Sequence, residues 1–147
     1  MKVVGAILIV LALVVGIVPQ FTDCLAQGRA IELPNGNSLP MKCHWTRQAE
    51  VAVALPLQVV GVLMLLLRDR KILRILAVVA LVLGVSAILI PAYLIGVCAG
   101  QEMICNMLMR PTLLFAGILI VATSVVALVY LRGEDPADFV DVAGEAS

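Results

Sequence analysis

The sequence predicts an all-α integral membrane protein: an antiparallel bundle of four transmembrane helices with two cysteine-bearing outer loops. Three observations carry this. Of 147 residues, 63% are hydrophobic and only 14% are charged, against roughly 45–50% and about 25% in soluble domains. The mean hydropathy is +1.12. The apolar residues gather in four runs, each near the roughly 17–25 residues that a helix needs to cross a hydrocarbon core. A soluble domain of this size has no interior large enough for so much apolar surface. The ten basic and ten acidic residues cancel, so no net field draws in nucleic acid. Soluble enzymes, nucleic-acid binders and disordered chains are poor fits.

The first run covers residues 3–18 and stops at Pro19-Gln20. The second, 51–67, has Thr46 as a candidate N-cap and Glu50 in its first turn. The third covers 75–95 and the fourth 112–131, both bounded by charged or Gly/Pro residues. A lipid-facing strand would alternate polar and apolar residues, whereas these runs are apolar all round. Residues 1–132 thus form one four-helix transmembrane domain. Residues 133–147 are acidic, include Pro136 and read as a short disordered cytoplasmic tail.

Orientation follows from the basic residues. Arg68, Arg70, Lys71 and Arg74 crowd the link between the second and third runs, the pattern of a cytoplasmic hairpin. Lys2 and Arg132 then fall on the same side, which makes both termini cytoplasmic and leaves 21–47 and 96–111 as outer loops. Lys2 followed by an apolar run also resembles a signal peptide, with Ala26 or Ala30 near a cleavage point. The run lacks an adjacent small-x-small site, and Asp23 before Cys24 does not suit lipoprotein processing. An uncut span is the preferred reading.

Glu50, Ala54, Gln58 and Gly61 form a small and polar stripe at helical spacing, and Ala12/Gly16 and Ala80/Gly84 are small-x-x-x-small pairs. Such patterns mark helix contact seams; the sharper alternative makes Gln58 a substrate ligand. Pro56 and Pro91 are expected to kink their helices. No ionisable residue lies deep in any run, with Glu50 only at a border, which disfavours ion-coupled carriers. No phosphate-binding loop, HExxH or G-x-S-x-G occurs.

All four cysteines, Cys24, Cys43, Cys98 and Cys105, fall in the two outer loops, as expected for disulfides on an oxidising side. Four cysteines allow three connectivities. Each half of the chain also runs helix, Pro, Cys, loop, Met-x-Cys, helix, with Met41-Lys42-Cys43-His44 echoed by Met103-Ile104-Cys105-Asn106. Read as parallel repeats, the halves favour Cys24–Cys43 and Cys98–Cys105.

At Cys43-His44-Trp45-Thr46 the chain resembles an uncharacterised prokaryotic domain-of-unknown-function family of small four-span membrane proteins. Its features are a C-H-[WY]-T motif before span two and a second Cys-bearing outer loop, here Cys98 to Cys105. The resemblance covers about residues 20–131. It implies the fold and a prokaryotic cytoplasmic (inner) membrane location, assigns no activity, and implies companionship with ABC-type permeases.

Three readings of the outer cluster stand side by side. In the first, two disulfides staple the loops, Trp45 anchors at the interface and the methionines pack; the protein is then an accessory or interaction subunit in the bilayer, beside a membrane-protein partner or a second copy, with no cofactor. In the second, the cysteines pass electrons from an outer dithiol to a membrane quinone, with Cys43 beside Lys42 and His44 as the activated thiol, although no C-x-x-C occurs. In the third, Met41, Cys43, His44, Met103, Cys105, Met107 and Met109 offer soft or borderline donors to copper or haem, with His44 as the only histidine. The first is the reading adopted, leaning away from an enzyme.

Overall fold

A backbone that crosses lipid must satisfy its own polar groups, which apolar runs do by coiling into helices. The chain does so four times: α1 (Lys2–Thr22), α2 (Lys42–Leu66), α3 (Arg70–Leu89) and α4 (Arg110–Arg132). The computed structural model describes residues 2–22, 28, 31–32, 34–36, 38–39, 42–96 and 105–133. A π turn, Ile90–Leu94, prolongs α3, and a second, Cys105–Met109, leads into α4. All four helical stretches are long and apolar enough to cross a membrane, the shortest having 21 residues, a length of about 30 Å. A two-residue antiparallel ladder, β1 (Ile31–Glu32) with β2 (Ser38–Leu39), pairs Ile31 with Leu39 and Glu32 with Ser38.

Three helices clearly outrun the apolar runs that announce them, α3 by beginning at Arg70. α1 continues through Pro19, which is buried, to Thr22; a proline in the last turn removes a single backbone bond. α2 begins at Lys42, well ahead of the apolar stretch, so Thr46 is not an N-cap. It lies inside the helix because Cys43, Thr46 and Glu50 continue the inward face at helical spacing. Between α2 and α3 the turn is short, and Asp69 caps α3 by accepting a hydrogen bond from the Lys71 N–H at 3.0 Å.

α1 packs chiefly on α2 and α3 on α4, and contacts of α1 with α4 and of α2 with α3 close the bundle. Leu8, Val15, Leu57, Met64, Leu113 and Ile120 fill the core. Glycines set the closest approaches: Gly61 of α2 lies against the Gly5 carbonyl, and Gly117 of α4 against that of Gly84. Large apolar residues such as Val10, Leu55, Val82 and Val126 face outward on all four helices. The bundle therefore has two distinct ends. At the basic end α1 and α3 begin and α2 and α4 finish; there Arg74 donates to the Leu131 carbonyl at 3.4 Å. The other is the cysteine end.

Candidate functional site

At the cysteine end the Cys43-His44-Trp45-Thr46 motif forms the opening turns of α2. Helical periodicity splits it. Cys43 and Thr46, with Glu50 one turn further on, are all fully buried. His44 and Trp45 lie toward the outside: Trp45 is 55% exposed, and the two rings meet edge to face at 5.9 Å and 81°. His44 Nε2 lies 3.3 Å from the Gln48 side-chain nitrogen, one turn along.

Thr46 ties this helix to the end of α3. Its hydroxyl donates to the Gly96 carbonyl at 2.7 Å. Gly96 has a φ of +74°, a conformation glycine adopts without strain, and it turns the chain out of the helix. The π turn before it contains Pro91, and the Ile90 carbonyl accepts from both Ile95 N–H and Gly96 N–H at 3.1 and 3.2 Å. Pro91 thus sits in a widened turn that accommodates its missing donor.

Glu50 corrects an expectation. The sequence places it in the first turn of its helix; in the fold it lies in the third turn of α2 and is fully buried. Neither carboxyl oxygen has a hydrogen-bond partner among the described residues. A buried polar group left in this state costs about 1–3 kcal/mol. The difference comes from the start of α2, which lies at Lys42, eight residues before Glu50. The signal was the spacing of Cys43, Thr46 and Glu50, which places three polar side chains on one helical face.

Of the stripe on α2, Ala54 and Gly61 are buried, whereas Gln58 is only half-buried. Gln58 opens onto a groove between α1 and α2, a cavity of about 310 Å³ walled by Ala12, Gly16, Ile17, Ala54 and Leu55. No described residue hydrogen-bonds to its amide. Toward the cysteine end the groove continues into a hollow of about 430 Å³ lined by Gln20, Arg47 and Gln48 as well as Val51, Ala52 and Leu55. Val51 and Leu55 wall both.

The remaining candidates separate. Cys24, Met41, Cys98 and Met103 lie outside the described residues, and of Cys105 only the backbone is described. Both expected pairings, Cys24–Cys43 and Cys98–Cys105, therefore fall outside them, and no disulfide joins two described residues. Met107 is 69% exposed while Met109 is fully buried. The π turn sends them to opposite sides, so the alternating sulfurs do not share one face. Among the described residues no three of His, Cys, Asp and Glu gather as a metal site would require. The repeat echo is uneven too: Cys43 sits in an α-helical turn and Cys105 opens a π turn.

No match to the chain is found among curated proteins or among solved structures. The family model described as a domain of unknown function (DUF4418) matches residues 2–130. That span takes in α1, α2 and α3 whole and all but the final residues of α4. The chain is a four-helix membrane protein that belongs to this family.

Proposed function

We propose that the protein is an accessory subunit of a membrane complex, seating a partner's transmembrane helix in the groove between α1 and α2. The observation that carries this is Gln58. Its amide lies well inside α2, beside Ala12, Gly16 and Ala54, and opens outward. Hydrocarbon offers an amide no hydrogen-bond partner. A helix resting on small residues comes close enough to supply one. Further along, Gln20, Arg47 and Gln48 give the groove a polar mouth, suited to a segment leaving the bilayer. The family resemblance points to an ABC-type permease as such a partner.

In this reading the basic end is cytoplasmic, in a prokaryotic inner membrane, and disulfides staple the outer loops. The burial of Cys43 supports a structural sulfur over an exchanging one, since dithiol exchange needs an accessible thiolate. That weighs against quinone-linked thiol oxidation. The divergence of Met107 and Met109 weighs against copper or haem on a shared methionine face.

Photo-crosslinking in native membranes tests the proposal. A crosslinker replacing Leu55, 65% exposed in the groove, is compared with one replacing Val126, 63% exposed on α4. The expected result is a discrete adduct to another membrane protein from position 55 alone, lost when Gln58→Leu is added. Lipid adducts only, equal adducts from both positions, or adducts only to a second copy would overturn it.

A further inference from the structure

We infer that the basic end of the bundle holds a binding site for a phosphate-bearing anion, of which the headgroup of an anionic phospholipid is the best-fitting source. A hollow of about 300 Å³ opens there, walled by Lys2, Arg68, Arg70 and Tyr130 above Leu73 and Leu131. The cations come from two places in the chain: Lys2 opens α1, and Arg68 and Arg70 flank the turn between α2 and α3. Among the described residues, no carboxylate lines the hollow. The nearest in sequence, Asp69, is engaged in capping α3. Orientation alone explains why cations collect at one end of a membrane protein; it does not require them to converge. Lys71 and Arg74, in the same basic segment, do not line the hollow.

Two further features fit phosphate. α1 and α3 both begin at this end, and their first residues, Lys2 and Arg70, line the hollow; Asp69 already caps the first turn of α3, so it is the start of α1 whose dipole favours an anion. The floor is apolar, since Leu73 and Leu131 are buried, and Tyr130 places a phenol at the rim. Cations above and hydrocarbon below match a phospholipid, whose phosphate adjoins its acyl chains, and basic hollows between helix ends are known to take such headgroups. The site is separate from the α1/α2 groove and independent of any partner there.

The test uses purified full-length protein, stripped of lipid and titrated with phosphatidylglycerol or phosphatidylcholine, with bound lipid counted by native mass spectrometry. A parallel arm titrates inorganic phosphate as competitor. Phosphatidylglycerol is expected to bind selectively. Arg68→Gln with Arg70→Gln is expected to weaken that binding roughly tenfold or more, while the charge-matched Lys71→Gln with Arg74→Gln leaves it unchanged. Lys2→Gln, on the opposite wall, also lowers retention and keeps the test open should the arginine pair fail to fold. Displacement by inorganic phosphate at comparable concentration supports the anion site and assigns its source to the soluble ion. Equal binding of the two lipids, or equal loss in both double variants, overturns the inference.

Discussion

Gly117 lies so close to Gly84 that a Cβ added to it would stand 3.3 Å from the Gly84 carbonyl oxygen and 2.6 Å from Cγ1 of Ile88. Gly61 has the same relation to Gly5 and Ile9, at 3.2 and 2.8 Å. Each helix pair thus uses one contact: a glycine of the later helix sits on the carbonyl of a glycine in the earlier one, beside an isoleucine one turn on. The depths differ, since Gly61 is near the basic end of α2 and Gly117 near the start of α4. Gly117→Val or Gly61→Val is expected to destabilise the bundle by about 1–3 kcal/mol, as overpacking does. Thermal unfolding in detergent reads this out. Gly133→Ala is the control, because a Cβ there meets nothing nearer than 3.7 Å.

Removing the Thr46 hydroxyl while keeping its shape isolates the link to Gly96. Thr46→Val is expected to lose about 1 kcal/mol, and Thr46→Ser to retain most of the wild-type stability. Urea or dodecyl sulfate titration of the purified protein measures both. Equal loss in the two variants would assign the effect to packing.

Glu50 makes the opposite prediction. Replacing a buried carboxyl that has no partner among the described residues with an apolar side chain of similar length relieves a desolvation cost. Glu50→Met is expected to raise stability by about 1–3 kcal/mol, seen as a higher unfolding temperature. A fall in stability would show that the carboxyl is satisfied in the folded protein.

The direction of the bundle is testable by fusion. Green fluorescent protein joined after Arg132 is expected to fluoresce and alkaline phosphatase at the same point to be inactive, as for a cytoplasmic C-terminus. The reverse pattern would place the basic end outside, and with it Arg68, Arg70, Lys71 and Arg74.

Four helices were readable because length and apolar content alone separate spans from loops in a bilayer. Where the spans begin was not. Hydropathy locates the stretch buried in lipid, and α2 extends beyond its stretch into Lys42–Glu50, where Cys43, Thr46 and Glu50 keep the inward face with polar atoms. The stripe Glu50, Ala54, Gln58 and Gly61 follows steps of three and four, yet Gln58 lies only half inside: a four-residue step overshoots the 3.6-residue period and drifts off the core face. Met107 and Met109 stand in the sequence as two soft donors of one set, and the π turn that parts them has no hydropathy signature. Three cations around one hollow were visible only as a charge cluster, since Lys2 meets Arg68 and Arg70 through folding alone.

The preference of α1 for α2, and of α3 for α4, bears on how the protein is made. Each tightest glycine crossing joins helices that leave the ribosome one after the other. The first pair can lock in the membrane before the second has been synthesised, and the second then needs no distant segment to find its mate. Assembly reduces to docking two finished hairpins, an order of events that shortens the exposure of unpaired polar side chains such as Glu50 to lipid.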